Sequence, residues 1–168
     1  MALPRLLCKL NIIFCCYSDV LQCTALTSSP VAKRVTYPGQ NSYNASLASY
    51  FDGKSRLTPS CIVQPTTAEE VSTIVKVLVA ANLQKTCQFA VRSGGHTPIP
   101  GANNIEDGVT IDMQSLKKVE VAKGDKVIRV GAGALWQDVY DEADKRNLTA
   151  MGGRIGVVGT AGFLTGGK

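Results

Sequence analysis

Arg92-Ser93-Gly94-Gly95-His96 is the stretch of this sequence with the most chemistry in it, and His96 is the sole histidine of the 168-residue chain. An imidazole there can serve as general base, metal ligand or nucleophile. Gly94 and Gly95 let the backbone turn tightly, approach a ligand closely and point N–H groups at it, as an anion-binding nest does. A metal would need partner ligands, and no acidic cluster lies nearby in the sequence. With one histidine and no Cys-x-x-Cys pair, no metal site is expected. No G-x-S-x-G elbow is present, although composition leaves a Ser/His/Asp triad open. The plain alternative is an ordinary glycine turn with an exposed histidine.

The preceding residues supply elements that could hold such a loop in place. Cys61-Ile62-Val63-Gln64 reads as a short strand closed by Pro65. Thr67-Ala68-Glu69-Glu70 has the form of a capping box. Val71, Ile74, Val75, Leu78 and Val79 follow at helical spacing, which predicts a helix from about Ala68 to Asn82. Cys61 and Cys87 each stand at the start of an apolar run, and Phe89-Ala90-Val91-Arg92 is the next strand. Strand, helix, strand is a β-α-β unit, expected to be parallel and right-handed. Its second strand delivers the glycine loop at the end of a parallel strand where ligands favour binding.

Beyond the loop, Val109-Thr110-Ile111-Asp112 reads as a strand, and Val119–Val121 with Val127–Val130 as an antiparallel hairpin. A second helix is predicted over about Leu135 to Lys145, with Leu135, Val139 and Ala143 on one face. A second glycine-rich segment, Gly152-Gly153-Arg154-Ile155-Gly156-Val157-Val158-Gly159-Thr160-Ala161-Gly162, follows. Two motif matches are set aside. Gly131-Ala132-Gly133 before a helix lacks the third glycine of a dinucleotide fingerprint, because Trp136 stands there. Gly162 to Lys168 fits the spacing GxxxxGK, but no Ser or Thr follows the lysine.

Hydrophobic residues make up 45% of the chain and charged residues 18%, a globular balance. The net charge is +5, but the basic residues are scattered and form no stripe with aromatics, so no nucleic-acid partner is expected. Residues 1–25 have the outline of a signal peptide: Arg5 and Lys9, an apolar run from Leu10 to Tyr17, then Cys23-Thr24-Ala25. That run is too short for a membrane span. Entry into the secretory pathway would make disulfides among Cys23, Cys61 and Cys87 plausible, with pairing left open, and would expose the sequons at Asn44 and Asn147. The alternative is buried thiols in a chain that is not secreted. Residues 26–56 are expected as an extended arm with one short helix near Ala45–Phe51.

The order of motifs resembles a known family. Cys87 to His96, then Asp107-Gly108-Val109-Thr110-Ile111-Asp112-Met113, then Val130-Gly131-Ala132-Gly133 with Trp136, Val139 and Tyr140, then Gly152-Gly153-Arg154 with Val158, Gly159 and Gly162, is similar to the fungal FAD-linked oxidoreductases of the berberine-bridge-enzyme-like family. The resemblance covers about Tyr43 to Gly167 and includes Pro59 to Pro65. It implies an α+β, PCMH-type FAD-binding domain over 57–168, with a β-α-β unit and a mixed sheet. It implies that Arg92, Ser93, Gly94 and Gly95 form the loop holding the FAD pyrophosphate, and that His96 bonds covalently to the flavin 8α-methyl. Gly152, Gly153, Val158, Gly159 and Gly162 match the second FAD-contacting segment. Some members add a cysteinyl link there, and an ungapped match puts Ile155 at that place, so a single histidyl link is expected. The implied reaction is hydride removal from a small organic molecule in secondary metabolism, with O2 as acceptor. Members are about three times longer, so the substrate domain and the catalytic base are expected to be absent. A second expectation follows: a truncated remnant, inactive or reduced to a flavin-binding module. A small secreted disulfide protein is a third reading.

Overall fold

Two buried strands carry the fold. In the computed structural model, which describes residues 22–81, 88–122, 124 and 126–166, they are β2 (Cys61–Val63) and β4 (Val109–Asp112), and every residue of both is buried. The basic start and apolar run of the expected leader, together with Cys8, Cys15, Cys16, Cys87, Gly167 and Lys168, lie outside the described residues. With β1 (Val35–Thr36) and β3 (Phe89–Arg92) these strands form a four-stranded mixed sheet in the order β1-β2-β4-β3. β1 is antiparallel to β2, while β2 and β3 both run parallel to β4.

The expected β-α-β unit is therefore corrected in one respect. β2 and β3 are parallel, but β4 is inserted between them. The β-branched run Val109-Thr110-Ile111 is paired on both edges, as a strand buried on both faces requires. β3 keeps Phe89 and Val91 exposed and takes the edge.

α2 (Ala68–Ala81) follows β2, close to its predicted span, and buries Ile74 and Leu78 against Val63, Val109 and Ile111. Val79, on the same predicted stripe, is exposed. Only half of the capping box forms. Glu70 N–H donates to Thr67 Oγ1 at 3.2 Å, but the Glu70 carboxylate accepts from Thr66 N–H at 2.6 Å and from Arg34 Nε at 2.9 Å.

The segment expected as an extended arm is built into the same core. Residues 22–27 are helical and place Cys23 and Leu26 in it. Cys23 is disulfide-bonded to Cys61 in β2, 38 residues away. A leader boundary after Ala25 would cut this link. α1 (Asn41–Ala48) starts after the turn at Gly39, whose φ is +89°, four residues earlier than the short helix predicted near Ala45. It sends Ser46 under the sheet to hydrogen-bond Asp112 of β4.

The hairpin is present as β5 (Val119–Val121) and β6 (Ile128–Val130). α3 (Trp136–Asp144) buries Trp136, Val139 and Ala143, one residue out of the predicted register at its start. A last short helix, α4 (Thr160–Thr165), begins at the second glycine segment.

Candidate functional site

The parallel strands β3 and β4 end side by side at Arg92 and Asp112. These two residues build the floor on which the glycine loop stands. Arg92 is fully buried. Its Nη1 donates to Ser46 O at 2.7 Å and to Ser46 Oγ at 3.0 Å, and its Nη2 donates to Ser49 Oγ at 2.7 Å. The guanidinium lies 3.8 Å from the ring centroid of Tyr50, a cation–π stack. Asp112 accepts from Ser46 Oγ at 2.6 Å and from Gln64 Nε2 at 3.2 Å. Burial holds the Tyr50 phenol well above the usual tyrosine range, with the Asp112 charge adding to the rise and Arg92 opposing it. Burial, helped by the charge of Glu106, likewise raises Tyr43 to about 12. Neither phenol is a base at neutral pH.

The loop above this floor is held open by backbone geometry. Gly95 has φ +68°, a conformation that side chains rarely adopt, and a Cβ there would stand 2.8 Å from Arg92 Nε. Gly94 meets the second glycine segment directly: a Cβ on Gly94 would lie 2.6 Å from Gly159 N. A Cβ on Gly159 would in turn strike Gly94 N and come within 2.7 Å of Ser93 Oγ. Ser93 Oγ donates to Ala132 O at 2.6 Å, tying the loop to the turn before α3. The second segment is docked there as well. Trp136 N–H donates to Val158 O at 3.0 Å and Thr160 N–H to Ala134 O at 3.0 Å.

The two segments form one wall each of a cleft of about 680 Å³, within the usual range for cofactor sites. Ser93, Gly94, Gly95, His96, Val158, Gly159 and Gly162 all line it. Among the described residues the N–H groups of Gly94, Gly95 and His96 have no hydrogen-bond partner. Among the described residues no carboxylate lines the cleft. It therefore offers unpaired amide donors to an anion with no negative charge to oppose it.

Three expected contacts are placed elsewhere. Arg92 does not line the cleft, and its charge is spent on Asp112, Ser46, Ser49 and Tyr50. Gly152 and Gly153 pack on the indole of Trp136, where a Cβ on Gly153 would come 2.5 Å from Cδ1. Their smallness serves that packing. Ile155 is exposed and outside the cleft. Gly131 and Gly133 lie against the carbonyls of Leu116 and Met113, an environment that repels phosphate. Conversely, Asn103, Met113, Ala132 and Phe163 line the cleft and were not among the cofactor contacts expected from the sequence. Asn103 Oδ1 is buried with no partner among the described residues. Tyr50 Oη donates to Asn103 O at 3.0 Å, a contact across 53 residues that no local pattern announces. Among the described residues no three His, Cys, Asp or Glu side chains group as a metal site, and no helix is long and apolar enough to cross a membrane.

The fold recurs in solved proteins. The structure is similar to 6-hydroxy-D-nicotine oxidase of Arthrobacter nicotinovorans, with 28% identity and a TM-score of 0.67 over 76% of this chain and 27% of that one. It is similar to a variant of BBE-like 1 of Physcomitrella patens, with 25% identity and a TM-score of 0.67 over 84% of this chain and 29% of the other. The α+β fold is thus that of the PCMH-type flavin-binding domains. A sequence model of the FAD binding domain matches residues 59–168, and the chain belongs to that family. It is 40% identical to the FAD-dependent monooxygenase sdcF of Emericella nidulans across 88% of this chain and 30% of the relative. The chain therefore spans less than a third of the length of these relatives.

Proposed function

We propose that this chain forms the cofactor-holding part of an FAD-linked oxidoreductase that oxidises a small organic molecule in secondary metabolism, with His96 as the single covalent tether of the flavin and O2 as the electron acceptor. The observation that carries the reading is the backbone contact between Gly94 and Gly159 at a cleft that both line together with His96. The residues fit the group. The unpaired N–H groups of Gly94, Gly95 and His96 suit a pyrophosphate, and Met113, Ala132, Val158 and Phe163 offer apolar surface to a planar ring system. When bound, FAD would accept a hydride from the substrate.

The part played by this chain is positional. The two loops that line the cleft would hold the cofactor and exclude water from one of its sides. His96, on the wall of the cleft, would supply the ring nitrogen that bonds to the 8α carbon. Arg92 braces the loop from below without entering the cleft. Support for monooxygenase-type chemistry comes from the name of the Emericella relative, and support for oxidase chemistry from the name of the Arthrobacter enzyme. The secretory route is part of the same proposal. A Cys23–Cys61 disulfide belongs to an oxidising compartment, and a leader compatible with it is cleaved before Cys23.

The test is colour. The full 168-residue chain, expressed with FAD supplied, should be yellow, and its flavin fluorescence should stay with the polypeptide after denaturation. His96→Ala should still take up FAD but release it on denaturation. A colourless wild-type protein defeats the cofactor reading. A yellow protein that releases all of its flavin defeats the tether.

A further inference from the structure

The dipeptide Tyr50-Phe51 contacts the glycine loop at Arg92, Gly95 and His96. The Tyr50 ring lies on the Arg92 guanidinium at 3.8 Å. Phe51 N–H donates to Gly95 O at 3.1 Å. The Phe51 ring stacks on the His96 imidazole, with centroids 4.1 Å apart and planes 12° from parallel. Four residues on, Ser55 Oγ donates to Thr97 O at 2.9 Å. The carbonyls on either side of His96 are thus both tied to the segment that follows α1.

From this geometry we infer that Phe51 is the positioning residue for His96: it fixes the plane of the imidazole so that a ring nitrogen faces the cleft. The inference rests on the reading of His96 as flavin tether. Phe51 is 64% exposed, so its ring does not serve the core. One face lies on His96, and the other is open. An apolar ring left so exposed, with its backbone bonded to the residue before the histidine, acts on His96 and on little else. Without it, the imidazole on a glycine loop is free to rotate about its side-chain bonds. A bond that forms only at a near-attack geometry then forms more slowly.

The covalent step balances as follows. The bond formed joins an imidazole nitrogen to the 8α carbon. One C–H bond at that carbon and the imidazole N–H bond are broken. The two hydrogens and two electrons leave with O2 as hydrogen peroxide. Phe51 takes no part in the electron or proton count.

The full chain is compared as wild type, Phe51→Ala, Phe51→Tyr and His96→Ala. Three quantities are read: the rate at which denaturation-resistant flavin appears, the dissociation constant for FAD before attachment, and the thermal unfolding midpoint. Phe51→Ala should slow attachment about tenfold or more while leaving FAD affinity and the midpoint unchanged. Phe51→Tyr should restore the rate. Because His96 is the sole histidine, its Cε1–H is a single NMR signal in the chain without FAD. Phe51→Ala should remove the ring-current shift from that signal and increase the ring's mobility, an outcome independent of flavin. Attachment at the wild-type rate in Phe51→Ala overturns the inference, as does a parallel fall in affinity or unfolding midpoint. Absence of attached flavin in the wild type overturns the tether reading itself, and the inference with it.

Discussion

Arg92 Nη1 stands 3.6 Å from Asp112 Oδ2, and both side chains are shut off from solvent completely. The pair closes the ends of two neighbouring parallel strands and carries the glycine loop. Removing one partner leaves an uncompensated buried charge. Asp112→Ala should therefore destabilise the chain by about 3–5 kcal/mol, measured by urea unfolding. A loss below about 1 kcal/mol would mean that the carbonyl, hydroxyls and aromatic ring around Arg92 suffice for the cation.

The Cys23–Cys61 disulfide closes a loop of 38 residues, and most of what it contributes acts on the unfolded chain. Reduction, or Cys23→Ser, should lower stability by about 2–4 kcal/mol. Mass mapping under non-reducing conditions should recover a Cys23–Cys61 peptide. Free thiols at both positions in protein from an oxidising compartment would contradict the pairing.

Gly94 and Gly159 touch backbone to backbone, so neither neighbour can yield by turning a side chain. Gly94→Ala and Gly159→Ala should each cost about 1–3 kcal/mol from overpacking. Both should weaken FAD binding about tenfold or more, because separating the walls misplaces the amides. Gly53→Ala is the control, since a Cβ there meets nothing within 4 Å. Fluorescence titration with FAD separates the three variants. Equal affinity in all would remove the two glycines from the site.

Glu70 links α2 to the chain near β1. The Thr66 N–H and then the Arg34 guanidinium hold its carboxyl below the ordinary value of 4.5. A carboxylate with a depressed folded value adds stability that is fully present above the ordinary value and lost as pH falls through the folded one. Unfolding midpoints measured from pH 6 down to pH 3 should therefore drop less steeply in Glu70→Gln than in the wild type, the difference opening below about pH 4.5. Parallel curves would show that Glu70 has no part in acid sensitivity.

The local elements were legible because their signals are local. Ile74 and Leu78 face inward at the spacing that predicted α2, and β2, β3, β4 and the β5–β6 hairpin lie where short apolar runs stand between turn residues. The partners were not legible. Nothing in Val109–Asp112 announces that it pairs with both β2 and β3. Nothing in the polar stretch from Thr27 to Ser60 announces that Ser46, Ser49, Tyr50 and Phe51 converge on Arg92 and His96. Those contacts span more than 40 residues and depend on how α1 docks. No periodicity records that.

For the candidate site the division falls in the same place. By itself the sequence determined that a glycine loop with a lone histidine ends a strand, that a second glycine segment follows, and that their order matches a flavin-binding family. Backbone permissiveness and residue chemistry are properties of the residues themselves. The tertiary structure alone decided which of these residues share a cleft. It turned Arg92 away into a buried brace, set Gly152 and Gly153 against Trp136, and laid Phe51 over His96. A side chain's role depends on what packing brings within a few ångströms of it, and packing is a property of the whole fold.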